Sequence, residues 1–236
     1  MSYADLTLGD RSRIKRYIQE HRFADALHFF PPDARTVLDF GAGNGELALR
    51  ITNGIISAEP IAITCYEPSP LIEEARERVG HLPGVQVIDT CADVAPDSID
   101  VVYCLEVFEH LPPRQTSTAL ATIHQMLRPG GLLIVGVPIE VGLPALCKGL
   151  FRMTRRREFD THPANILRAI LGGEFLFRPM MQIAPGLDYY PHHTGFDYRR
   201  LRDTLARSFR LERQACSPFG TLGPALNSEV YLIVRK

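Results

Sequence analysis

From residue 34 onward the chain alternates short runs of aliphatic and β-branched residues with longer stretches whose apolar positions recur every three or four. Thr36–Phe40 (TVLDF), Ile61–Tyr66 (IAITCY), Val85–Ile88, Ile99–Cys104 (IDVVYC) and Leu132–Val137 (LLIVGV) read as five strands. Glu46–Ile51, Pro70–Val79 and Thr116–Leu127 read as helices between them, the last closed by Arg128-Pro129-Gly130-Gly131. Strands that are apolar throughout, rather than at alternate positions, are buried on both faces. Their alternation with helices predicts a single α/β domain, a mostly parallel sheet with helices on both faces. The helix at Tyr198–Phe209 and strands at Leu211–Cys216 and Val230–Val234 complete it.

Two regions depart from this rhythm. In residues 1–33, Ile14, Tyr17, Ile18, Ala24, Leu27 and Phe30 fall at helical spacings. Arg11, Arg13, Lys15, Arg16 and Arg22 lie opposite, and Pro31-Pro32 ends the run. This predicts an N-terminal helical flap with a solvated basic face. Residues 139–195 are punctuated by Pro144, Pro163, Pro179, Pro185 and Pro191. That stretch is far longer than a usual connection in an α/β unit, and predicts a lid inserted between strands five and six. The expected organisation is therefore a flap (1–33), a ligand-binding core (34–138), a substrate-binding lid (139–195) and the C-terminal part of the core (196–236).

The 236 residues are 45% apolar and 22% charged with a net charge of −1, which excludes a disordered or fibrous chain and any global field toward nucleic acid or membrane. No two of Cys65, Cys91, Cys104, Cys147 and Cys216 have C-x-x-C spacing, so neither a zinc ribbon nor a disulfide framework is indicated. A reducing, cytoplasmic setting is expected. The longest apolar run, Leu132–Pro138, is far short of the ~20 residues of a membrane span. Locally the charge differs: between residues 148 and 178 seven basic side chains face three acidic ones. That basic, amphipathic part of the lid suits an anionic substrate or a peripheral membrane contact.

The strongest chemical signal is VLDFGAGNGELAL, with Asp39, Gly41, Gly43 and Gly45. A glycine turn between the first strand and first helix sits at the carboxyl edge of the sheet, where ligands bind. Its G-x-G-x-G spacing differs from the dinucleotide fingerprint, and no Lys-Ser/Thr follows as in a P-loop. Glu67, ending the second strand, can accept both hydroxyls of a ribose. Cys104-Leu105-Glu106-Val107-Phe108-Glu109-His110-Leu111 follows the fourth strand. If it is helical, Glu106, Glu109 and His110 share one face.

These motifs, with YEPSP, LRPGGLLIVGVP and the closing NSEVYLIVRK, resemble the class I S-adenosylmethionine-dependent methyltransferases, which have a Rossmann-like fold. The CLEVFEHL form looks most like the branch of ubiquinone-biosynthesis O-methyltransferases and bacterial small-molecule and lipid-sugar methyltransferases. The resemblance implies S-adenosylmethionine as cofactor. Asp39 and the backbone of Gly41, Ala42, Gly43 and Gly45 would hold its methionine end. Glu67, with Pro68 beside it, would hold the ribose; Asp89 and Cys91 would flank the adenine; Cys104 would lie near the sulfonium. The expected reaction is methyl transfer to an oxygen or nitrogen of a small-molecule or lipid-linked acceptor. An RNA 2′-O-methyltransferase and a catalytically inactive binding protein are the alternatives, and no basic domain or appendage supports nucleic acid.

His110 and His193 are candidate bases, because an imidazole pKa of about 6.5 suits the task. Glu106 is a candidate beside them. Tyr189, Tyr190 and His192 are candidates for the acceptor pocket. His193 or Tyr190 is expected to approach from the lid, opposite Glu106 and His110. A divalent metal held by Glu106, Glu109 and His110 with a later histidine is the alternative to a simple base.

Overall fold

The computed structural model describes residues 21–55, 59–155, 157–184 and 186–236, and from residue 34 onward these form nine strands and six α-helices. Arg11 to Ile18, expected on the flap helix, lie outside the described residues; residues 21–27 are helical. Strands β1 (Thr36–Phe40), β2 (Ala62–Tyr66), β3 (Val85–Ile88), β4 (Ile99–Leu105) and β5 (Leu127–Pro138) are parallel. Helices α1 (Glu46–Gly54), α2 (Ile72–Val79) and α3 (Pro113–Met126) join them. Next come α4 (Gly142–Met153), α5 (Pro163–Ile170) and a hairpin of β6 (Met181–Ala184) and β7 (Leu187–Tyr189). The chain then returns through α6 (Tyr198–Leu205), β8 (Arg210–Ser217) and β9 (Glu229–Arg235).

The main sheet has the order β3-β2-β1-β4-β5-β9-β8, with β9 antiparallel to both its neighbours. Both faces are covered, as the unbroken apolar runs require. Leu38, Val102 and Leu133 pack with Leu120 and Ile123 of α3 and Leu201 of α6. Val37, Val101 and Ile134 pack on the other face with Leu47, Ala48 and Ile51 of α1. Each such aliphatic side chain contributes ~1.5–3 kcal/mol on full burial. The strand order reverses between β1 and β4, and there the connections leave a crevice at the carboxyl edge.

Local chemistry moved several expected boundaries. Leu127 already pairs with Ile99 and Leu132 with Val101, so Arg128–Gly131 form an irregularity inside β5 rather than a loop before it. Gly130, at φ +75°, permits it. The residues after β4 are not helical. Glu106 takes φ +56°, and two tight turns follow, with His110 N donating to Val107 O (3.0 Å) and Leu111 N to Phe108 O (3.3 Å). The helix starts only at Pro113, where a missing N–H costs nothing. Glu106, Glu109 and His110 therefore do not share a helix face.

Candidate active site

Beyond β1 the backbone doubles over the end of β2. Gly41 N and Ala42 N both donate to Tyr66 O at 2.9 Å. A Cβ on Gly41 would overlap Val107, and one on Gly45 would overlap Val79 of α2. Packing therefore demands glycine at both. A Cβ on Gly43, at φ +55°, would meet nothing within 4 Å. That side of the turn is open to a cleft of about 1920 Å³.

Glu67 Oε2 accepts from Gly43 N at 2.7 Å, so its carboxyl already faces the turn. Burial raises its pKa to about 7 despite that bond. Asp39 is also buried, and desolvation, reinforced by Glu67, raises it to about 8. It forms no ion pair among the described residues. Two buried carboxyls beside an open backbone turn make a receptor for a cationic amine and for hydroxyl donors.

Residues 14–163 match the methyltransferase domain family, more than half of the chain. The chain belongs to the class I S-adenosylmethionine-dependent methyltransferases. It is 32% identical over 209 residues to an O-methyltransferase from Penicillium expansum, covering 85% of this chain and 64% of that one. It is 30% identical over 154 residues to an uncharacterized methyltransferase from Mycobacterium bovis, covering 59% of this chain and 57% of that one. The chain thus spans about three fifths of the length of these curated relatives. Two solved structures share its fold. Mitomycin 7-O-methyltransferase aligns at a TM-score of 0.58 and 18% identity, over 100% of this chain and 61% of that one. The Burkholderia thailandensis 1,6-didemethyltoxoflavin-N1-methyltransferase, solved with S-adenosylhomocysteine, aligns at 0.53 and 17%, over 91% of this chain and 76% of that one.

The methyltransferase's donor cofactor fits the residues present. The open face of Gly43 admits a ligand against the backbone, Asp39 lacks a cation, and Glu67 holds an acceptor oxygen at the turn. Asp39, Gly41, Ala42, Gly43, Glu67 and Pro68 line the cleft, with Asp89 and Cys91 farther along it. Gly45 and Cys104 do not. Gly45 abuts α2, and the Cys104 side chain lies in the core, so Leu105 and Glu106 form that wall.

Across the cleft, His110 Nδ1 lies 2.7 Å from Tyr190 O. A carbonyl only accepts, so Nδ1 carries the proton and Nε2 presents its lone pair. His193 Nε2 sits 3.2 Å from it. The two histidines line the cleft together rather than on opposite sides. Burial lowers both pKa values, partly offset by Tyr190 O at His110 and by Glu140 at His193. Burial therefore favours the neutral form of both rings.

The remaining candidates separate. Tyr189 lines the cleft, but Tyr190 and His192 do not. The Tyr190 ring lies under the Arg178 guanidinium (4.0 Å), while its backbone clamps His110. His192 Nδ1 turns toward Asp160 (3.8 Å) and Glu158 (3.9 Å), away from the acceptor side. Glu106 lines the cleft, where its carboxylate pairs with Arg22 at 3.2 Å.

Arg22 on this wall, and Glu140 and Glu229 behind it, are not singled out by the sequence. Arg22, expected on a solvated face, also pairs with buried Glu229 at 2.8 Å. Glu140 is buried, yet Lys148 and Arg152 override the desolvation and hold it down to about 2. Acidic residues directly after or before apolar strand runs, VPIE and NSEV, were the available signal.

Proposed function

We propose that this methyltransferase moves a methyl group to a hydroxyl or amine of a small-molecule or lipid-linked acceptor, with His110 as base and residues 139–195 as the acceptor-binding lid. The observation that carries this reading is the His110–His193 pair, Nε2 to Nε2 at 3.2 Å, in the same cleft as Asp39 and Glu67. S-adenosylmethionine supplies an activated methyl on a sulfonium for in-line displacement. Asp39 binds its ammonium, Glu67 accepts its ribose hydroxyls, and the glycine turn orients it. The protein's task is then mainly positioning, ~7–11 kcal/mol at best. His110 Nε2 takes the acceptor's proton when His193 adopts its Nδ1–H tautomer toward Glu140, 4.0 Å away. The proton then lies between the two Nε2 atoms, while Tyr190 O keeps His110 oriented. The cleft exceeds the ~300–1,000 Å³ of a typical small-molecule site, which leaves room for an acceptor beside the donor. The name of the Penicillium O-methyltransferase supports an oxygen acceptor, and that of the Burkholderia 1,6-didemethyltoxoflavin-N1-methyltransferase a small-molecule one.

A second reading places a divalent metal on the same wall. One ligand atom each from Glu109, His110 and His193 lies within 4.8 Å of the others. Both Glu109 carboxyl oxygens are buried with no hydrogen-bond partner among the described residues. Glu106 is not in the set, because it pairs with Arg22. Such a metal would orient and acidify an acceptor hydroxyl.

The test is transfer of labelled methyl from S-adenosylmethionine to a panel of phenols, amines and polar lipids, with and without EDTA. The base reading requires activity that survives EDTA and is lost in His110→Ala. Loss in EDTA restored by Mg²⁺, Mn²⁺ or Zn²⁺ selects the metal. No transfer to any acceptor overturns both.

A further inference from the structure

Helix α4 is inverted relative to an ordinary surface helix. Lys148 and Arg152 point inward, where Glu140 accepts from Lys148 Nζ at 3.0 Å and from both Arg152 terminal nitrogens at 2.9–3.0 Å. Leu143, Leu150, Phe151 and Met153 point outward, each about half exposed. At about 100° per residue they share one face with Leu146 and Cys147, and no charge lies on it. Soluble helices put the charges outside and the apolar stripe inside. Buried Glu140 explains the inward charges but not the outward hydrophobes.

The adjoining elements expose further apolar side chains. Helix α5 crosses α4 where Gly149 meets Ile166, and exposes Leu167 and Leu171 one turn apart. Leu176 and Phe177 follow, 96% and 71% exposed. Ten of the fifteen large apolar side chains exposed among the described residues fall between 143 and 181. Single exposed hydrophobes need no explanation, but a concentration of this kind marks a docking face.

Charge selects what docks. Arg155, Arg157 and Arg168 are exposed on these elements, with Arg155 stacked over Phe151 at 4.2 Å. Of the three acids in this stretch, Asp160 is buried, Glu174 pairs with Arg200 at 2.7 Å, and Glu158 is exposed beside Arg157 and lies 3.9 Å from His192, which leaves the basic side chains in excess. Apolar side chains among arginines, on a chain whose net charge is −1, complement an anionic lipid surface. The segment that follows reaches the site. Met180 is half exposed and lines the cleft with Ile183 and Leu187.

We propose that α4, α5 and the following segment dock on an anionic bilayer, and that the acceptor enters the cleft from it past Met180, keeping a hydrocarbon tail in apolar surroundings throughout. The acceptor's class rests on the methyl-transfer reading; the docking does not.

Co-sedimentation of the full chain with vesicles tests it. Binding is expected to phosphatidylcholine vesicles containing about a third phosphatidylglycerol, weaker binding to phosphatidylcholine alone, and a loss as salt screens the arginines beyond ~10 Å. Leu150→Asp with Phe151→Asp should weaken binding at least ~tenfold, with S-adenosylhomocysteine affinity unchanged. Arg155→Glu with Arg157→Glu should remove the preference for anionic vesicles. Absence of vesicle binding, or binding indifferent to the Leu150/Phe151 pair, overturns the proposal. So does a dimer in light scattering that the same pair dissociates, because a second copy would then be the occupant. Failure to bind S-adenosylhomocysteine would overturn the methyl-transfer reading while leaving the vesicle result standing.

Discussion

The two walls of the cleft are held together by different physics. The donor wall is backbone: the end of β1, a glycine turn and the end of β2, with the Gly43 amide on Glu67 spanning 24 positions. The acceptor wall is made of contacts that side chains make with distant parts of the chain. His110 meets His193 across 83 positions, Arg22 meets Glu229 across 207, and Arg178 donates to Glu109 O across 69. A wall made of strand ends keeps its shape when one side chain changes. A wall made of buried charges does not, because removing one partner strands the other in a poorly hydrated place.

The largest effect is therefore expected at Glu140. Glu140→Ala leaves Lys148 without its acid and Arg152 with Asp160 alone, 3.5 Å away, and breaking a buried pair of this kind costs about 3–5 kcal/mol. Urea unfolding should show the loss and methyl transfer should disappear, while calorimetry shows S-adenosylhomocysteine binding as before. A parallel loss of affinity would mean that the two walls are one unit. His110→Ala should slow transfer by about 10²–10⁴, the contribution of a general base, again without touching donor affinity. On the other wall, Glu67→Ala removes charged acceptors and should weaken S-adenosylhomocysteine binding by ~1.5–3 kcal/mol; unchanged affinity would remove Glu67 from the ribose site.

A smaller effect is expected from pH. Asp39 and Glu67 hold protons in the folded, ligand-free protein up to about 8 and about 7, whereas the unfolded chain releases them near pH 4. The native state binds more protons in that window, so its stability falls as pH rises from about 4 to 8. Glu140 acts in the opposite sense. Its folded pKa is held down to about 2, so its contribution is present above pH 4.5 and is lost only in acid. Donor affinity should rise with pH between about 6 and 8, by at most about tenfold per unit for each proton released. Calorimetry in buffers of different ionisation heat reads that proton directly, and pH-independent affinity would refute the assignment of Asp39 to the ammonium.

The same contrast decides what was legible in the amino-acid order. Apolar runs and glycines are local signals, so β1–β4, the turn at Gly41–Gly45 and Glu67 could be read without the fold. Leu127 reads as the end of a helix because Pro129 and the two glycines hide a strand that bulges through them. Glu106 could not be placed, because its left-handed backbone depends on what surrounds it. The acceptor wall was mostly invisible. Arg22 looks like any other arginine on a basic face until Glu229 is brought beside it, and α4 reads as an ordinary amphipathic helix until its orientation is known.

Arg22 also bears on when the enzyme becomes whole. Its guanidinium meets Glu229 and its carbonyl accepts from Tyr231 Oη at 2.7 Å, both on β9. Every strand of the donor turn is translated long before that partner. With 207 positions to cover, synthesis at ~5–20 residues per second leaves an interval of roughly 10–40 s. In the later part of it, once β5 has been made, the parallel strands can already pair on the ribosome, but Arg22 and Glu106 wait without the acid that completes their cluster, and the cleft has one finished side.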